Sequence, residues 1–174
     1  MTDAPSRAAA RALIRELVAS GRTASPEDVA RIRTLMATAP FDPSIVPVRT
    51  RYRGLSYGAI VLGRRALSLD FHLVKRTVVD EQWRMGTTEG EYLDDLRAAI
   101  GSALARVGAY RRRGGIMAVA IVPTRAVVPA HRLGPSPLPS LLVVYAADRD
   151  IIVTGCQFSS SEEISIPEDA RWLT

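Results

Sequence analysis

The chain of 174 residues holds one cysteine, two histidines and a single lysine, and aromatic residues make up only 6% of it. A lone Cys156 excludes an internal disulfide framework and, with no second thiolate, most structural zinc patterns. No apolar run approaches the roughly 18 residues that span a bilayer. The start Met-Thr-Asp-Ala-Pro-Ser-Arg has no continuous apolar segment, and the alanines that follow are interrupted by Arg7, Arg11 and Arg15, so no signal peptide is read. The expectation is a cytoplasmic protein with no membrane partner. Hydrophobic residues make up 47% of the chain, ordinary globular usage, and its length suits one compact domain of about 100–200 residues.

Several chemistries also lack their residues. There is no His-x-x-x-His, no Asp-x-Asp calcium loop and no cysteine pair, and the nearest acid cluster, Glu91 with Asp94 and Asp95, lies on an expected helix. Gly114-Gly115 lacks the Lys-Ser/Thr continuation of a phosphate-binding P-loop. Cys156 sits in a Val-rich run, where a buried inert thiol is the default. Neither a metal nor a cofactor is expected.

What is present is arginine. The formal net charge is +5, which permits a polyanionic partner such as RNA without requiring one. Arg49, Arg51 and Arg53 alternate along an expected strand and offer one nucleic-acid-binding face. Against this background the single lysine stands out in Phe71-His72-Leu73-Val74-Lys75-Arg76. In a helix His72, Lys75 and Arg76 share a face at i, i+3 and i+4. Cations beside His72 would lower its pKa and favour the neutral imidazole that a base must be. The plain alternative is that His72 packs against a neighbouring element while Lys75 and Arg76 lie in solvent.

The pattern predicts an α+β fold. Residues 1–42 read as a helical hairpin, an appendage or partner-binding segment. Leu13, Ile14, Leu17 and Val18 form its first apolar stripe, and Ser25-Pro26-Glu27-Asp28 marks the second helix start. Residues 43–174 read as the body, with helices packed on a mainly antiparallel sheet. Val46 to Tyr52 and Tyr57 to Leu62 suit strands. A helix is expected from near Ser68 or Asp70 to before Gly86, and another from Thr88 to Val107, closed by Gly108. Ile116–Val122, Leu141–Ala146 and Ile151–Phe158 read as strands, the last two joined at Asp148-Arg149-Asp150. The Pro-rich stretch 131–139 is a loop.

Taken in order, the His-x-x-Lys-Arg helix, the Trp83 turn, the Thr87-to-Tyr92 helix start and the terminal strand Ile152-Val153-Thr154-Gly155-Cys156-Gln157-Phe158 resemble the BECR superfamily. That group comprises the barnase, EndoU, colicin and RelE-like ribonucleases of bacterial toxins and phage proteins. The resemblance covers roughly residues 46–160. It implies a metal-independent endoribonuclease acting through the RNA 2′-hydroxyl, with His72, Lys75 and Thr154 as catalytic residues. Arg76, Arg49, Arg51, Arg53, His131 and Gln157 are the candidate substrate contacts, and an antitoxin or immunity protein is the implied partner beside RNA. Gln157 follows Thr154 at i+3 and faces away from it in a regular strand, unless a bulge at Gly155 turns both one way. His131, Tyr110 and Tyr145 are the candidates for a second proton-transfer group. The alternative function is a non-catalytic nucleic-acid-binding or protein-interaction module.

Overall fold

The structure is a computed structural model, and the residues it describes are 4–47 and 65–174. Arg49, Arg51, Arg53 and the Tyr57–Leu62 stretch lie outside them. The elements in chain order are α1 (Ala4–Ser20), α2 (Pro26–Ala37), β1 (Ile45–Pro47), β2 (Arg65–Leu67), α3 (Ser68–Val74) continued by a π-helical turn (Lys75–Val79), α4 (Glu89–Gly101), β3 (Arg106–Arg112), β4 (Gly115–Pro123), β5 (Ser140–Ala146), β6 (Ile151–Phe158) and β7 (Arg171–Trp172). Strands β6-β5-β4-β3-β7 form one antiparallel sheet in that order, and β1 and β2 pair in a small second sheet. The α+β expectation holds.

Alternation along the strands sorts the sheet into two faces. Val107, Ala109, Ile116, Ala118, Ala120, Val122, Leu141, Val143, Tyr145 and Ile152 join the helical residues Ile14, Leu17, Ile32, Leu35, Met36, Leu96 and Ile100 in one core. The opposite face carries Tyr110, Val119, Leu142 and Phe158, covered in part by Ile164, Ile166 and Ala170. Because α1 and α2 bury their apolar stripes in the same core as the sheet, residue 42 does not divide two cores. The hairpin is part of the helical layer. Arg7, Arg11 and Arg15, one turn apart on α1, fasten it to the β5–β6 turn: Arg7 pairs with Asp150, Arg11 donates to the Ala147 and Asp148 carbonyls, and Arg15 pairs with Asp148.

Local sequence explains most element ends. Ser25 and Thr88 close capping boxes with Asp28 and Glu91, satisfying orphan backbone N–H groups at the helix starts. Helix α4 stops at Gly101, earlier than the stripe through Val107 suggests. Ser102 turns extended there, and Arg33 on α2 donates to the carbonyls of Ile100, Ser102 and Ala105. A cation at a helix C-terminus offsets its exposed carbonyls. Residues 106–112 then form a strand, turned at Arg113-Gly114, both with positive φ (48° and 77°). This is the two-residue turn that matches strand twist.

Candidate functional site

Strand β6 is a sheet edge, and its outward-facing groups are covered by three other segments. The Ile152 N–H donates to Pro40 O and its carbonyl accepts from the Asp42 N–H, each at 2.8 Å. Two donors converge on the Gly155 carbonyl, Arg76 Nε at 2.9 Å and the Tyr92 hydroxyl at 2.8 Å. At Gln157 the side-chain amide of Gln82 replaces a neighbouring strand, its Nε2 donating to Gln157 O and its Oε1 accepting from Gln157 N, both at 2.9 Å. An edge capped in this way cannot recruit a foreign strand.

The candidate cluster forms on this edge. Ser68 to Val74 are helical, Asp70 accepting from the Leu67 N–H at 3.2 Å. The chain then widens into the π turn, closed by the Asp80 N–H to Lys75 O at 2.9 Å. On the strand side, β5 and β6 slip register between Val144 and Tyr145, leaving Val153 as an extra residue before Thr154. Such a bulge bends a strand and increases its twist. The outcome is a contact between His72 Nδ1 and Thr154 Oγ1 at 3.1 Å, with Arg76 Nη2 donating to the same hydroxyl at 3.4 Å.

Arg76 is only 6% exposed. Its remaining N–H groups go to Gly155 O and to Asp80, at 2.6 Å from Nη1 to Oδ2. Lys75 Nζ lies 3.4 Å from the same Asp80 oxygen. Arg76 is thus not the solvent-facing phosphate contact expected from its helical position. The π turn draws it inward, where it fixes β6. The Asp80 side chain is 7% exposed, and its other oxygen, Oδ1, has no hydrogen-bond partner among the described residues. Leaving a buried acceptor unpaired costs about 1–3 kcal/mol.

Burial dominates the electrostatics. It pulls the His72 pKa down to about 3, with Arg76 and Lys75 pushing the same way and Asp42 opposing. The ring is neutral at physiological pH. Phe41 and Phe71 meet it edge-on at centroid distances of 5.8 and 5.3 Å. Burial, then Arg76, lowers the Lys75 pKa against the pull of Asp80. Tyr92 is pushed up to about 12, chiefly by burial, so it remains a donor to Gly155. Cys156 is raised by burial, with Arg76 and Lys75 opposing, and is a thiol.

Other expected contacts fall elsewhere. Gln157, 3% exposed, accepts from the Leu138 N–H at 2.8 Å through Oε1 and donates to Gln82 O at 3.1 Å through Nε2. It holds the Pro-rich loop to the strand, so its amide is not offered to a substrate. The bulge precedes Thr154 instead of falling at Gly155, so Gln157 stays on the opposite face. His131 is exposed on a short turn (Ala130–Arg132), next to an Arg132–Asp95 ion pair that also receives the Trp83 indole N–H at 3.0 Å. Tyr145 donates to Asp150 at 2.7 Å, and Tyr110 packs on the opposite face of the sheet. None of these three joins the cluster.

Beside the cluster lies an open cleft of about 690 Å³ between the π turn, the Ser136–Leu138 loop, the end of β6 and Glu163-Ile164. Among the described residues no group of three His, Cys, Asp or Glu is arranged to hold a metal ion, and no helix is long and apolar enough to cross a membrane. No family model, curated protein or solved structure matches the chain.

Proposed function

We propose that the protein is a metal-independent endoribonuclease of toxin type, acting on RNA in the cytoplasm and held in check by an antitoxin or immunity protein. The observation that carries the reading is the His72–Thr154 contact, a neutral imidazole held by a hydroxyl beside a half-buried ammonium. In this scheme Thr154 orients the ring through Nδ1, and Nε2 takes the proton of the RNA 2′-hydroxyl, the negative charge of the bound phosphate raising the ring's pKa from its low value in the free protein. The 2′-oxygen attacks phosphorus, the bond to the 5′-oxygen breaks, and a 2′,3′-cyclic phosphate and a 5′-hydroxyl result. Lys75 stabilises the charge gathering on the phosphate. Its lowered pKa also makes its ammonium a better proton donor to the leaving 5′-oxygen. Arg76 is a positioning residue that holds Thr154 and Gly155.

The test is cleavage of single-stranded RNA in EDTA by the intact protein and by folded His72→Ala and Lys75→Ala variants. Loss of cleavage in both is expected, and full activity in both overturns the reading. A non-catalytic nucleic-acid-binding module is the second reading: the shared Asp80 carboxylate offsets the charge that Lys75 and Arg76 would bring to a scissile phosphate, which counts against catalysis at the cluster. Salt-sensitive RNA binding by the intact protein with no cleavage decides for it.

A further inference from the structure

Positive charge gathers at one end of the large sheet. The β3–β4 turn at Arg113-Gly114 and the β5–β6 turn at residues 147–150 lie side by side there, the Ile116 N–H donating to Asp148 Oδ2 at 2.7 Å and the Ala147 N–H to Ile116 O at 2.9 Å. Three arginines at this end are each matched by an aspartate: Arg7 by Asp150, Arg15 by Asp148 and Arg149 by Asp42. Arg111, Arg112 and Arg113 are exposed and form no ion pair among the described residues. Arg11 donates only to the Ala147 and Asp148 carbonyls. The matched pairs cancel, so Arg11 and the three tip arginines leave a surplus of four positive charges here, against +5 for the whole chain. The other end has the opposite sign. Residues 159–170, which leave β6 after Phe158, carry Glu162, Glu163, Glu168 and Asp169 and no cation.

The row of arginines leads toward His72. Arg149 reaches across the edge of β6 to Asp42 Oδ1 at 2.8 Å and Ser44 Oγ at 3.2 Å, and its side chain stays 54% exposed despite both bonds. Asp42 follows Phe41, whose ring meets His72, and its own charge acts on the imidazole. From β3 across β4, β5 and β6 to the segment at Phe41 is four strand spacings, about 19 Å. We propose that the phosphodiester backbone of RNA runs along this end of the sheet, over Arg111, Arg112 and Arg113 and then Arg149, on its way to His72. The inference takes from the ribonuclease reading only that the partner is RNA. Guanidinium groups spaced along a line suit a chain of phosphates, because each can present two parallel N–H donors to one phosphate. The acids of residues 159–170 repel the same strand from the far end.

Fluorescence anisotropy of a short labelled 2′-O-methyl RNA, which cannot be cleaved through its blocked 2′-oxygen, tests this on the full chain. Arg111→Gln/Arg113→Gln is compared with Arg84→Gln/Arg125→Gln, which removes the same charge from exposed positions elsewhere, Arg125 lying beyond the far end of β4. The tip pair is expected to weaken binding at least ~10-fold at low salt and to flatten the slope of log affinity against log salt by about 1.4, two contacts at about 0.7 each for a single strand. The control pair should leave both nearly unchanged. Equal losses in the two pairs, or no loss in a tip pair shown to be folded by circular dichroism, overturn the proposal. So does a polyglutamate peptide that binds more tightly than the RNA, which would assign the row to an acidic protein. The two readings fail separately. Cleavage that needs His72 but is indifferent to the tip arginines removes the row alone, whereas binding that needs the tip arginines without any cleavage removes the ribonuclease alone.

Discussion

His72 Nδ1 and Thr154 Oγ1 lie 3.1 Å apart across 82 residues of chain. If that contact orients a base, Thr154→Val should lower RNA cleavage by about 10²-fold or more, within the range of general-base contributions. Thr154→Ser, which keeps the hydroxyl, should retain most of it. Initial rates on single-stranded RNA check this, and equal rates for the Val and Ser variants remove Thr154 from the mechanism.

The buried imidazole should also register in stability. Its folded pKa of about 3 lies below the ordinary histidine value of 6.5, so between those limits the unfolded chain binds a proton that the folded chain does not. Stability is therefore lost as pH falls from 6.5 toward 3, by at most about 1.4 kcal/mol per unit for this group. Urea unfolding at pH 7 and pH 4 should show a smaller drop for His72→Phe than for the wild type. An identical drop means the ring is not held neutral.

Arg76 offers a sharper separation of structure from chemistry. Removing it in Arg76→Met leaves Asp80 buried with Lys75 as its one remaining cation among the described residues and takes a donor from Gly155 O. A loss approaching ~3–5 kcal/mol is expected in urea unfolding, the cost of breaking a buried pair. The double variant Arg76→Met/Asp80→Leu should lose less, because no buried carboxylate remains. Additive losses contradict the pairing.

Gly155 is needed for want of space. A methyl group there would stand 2.2 Å from Leu96 Cδ2, so Gly155→Ala should cost about 1–3 kcal/mol through overpacking. Adding Leu96→Ala relieves the clash while opening a cavity, so the two changes together should cost less than their sum. A double-mutant cycle by thermal or urea unfolding measures the coupling.

The helical hairpin, the caps at Ser25 and Thr88 and the strands from Ile116 onward were legible because each is written in short-range pattern. The pairing of His72 with Thr154 is suggested in the sequence only by the family resemblance, since nothing local sets their distance. A regular helix would hold Arg76 on one face with His72 and Lys75, whereas the chain becomes π-helical at Lys75 and brings Asp80 under both cations. Gln82 and Tyr92 carry no signal of their own. Their roles come from an exposed strand edge some 60–80 residues away, visible only once the sheet order is known. The early end of α4 was hidden for a similar reason, as the residue that caps its carbonyls, Arg33, belongs to another helix.

The three arginines of α1 reach residues 133 to 143 positions further along the chain. During synthesis, which proceeds from the N-terminus, the first helix emerges long before the turn it grips has been made. Its apolar face meets α2 and then β3 and β4, but its arginines lack their acidic partners until the β5–β6 turn exists. Fastening of the first helix is therefore a late event, and a chain interrupted before that turn keeps α1 without its ionic anchors.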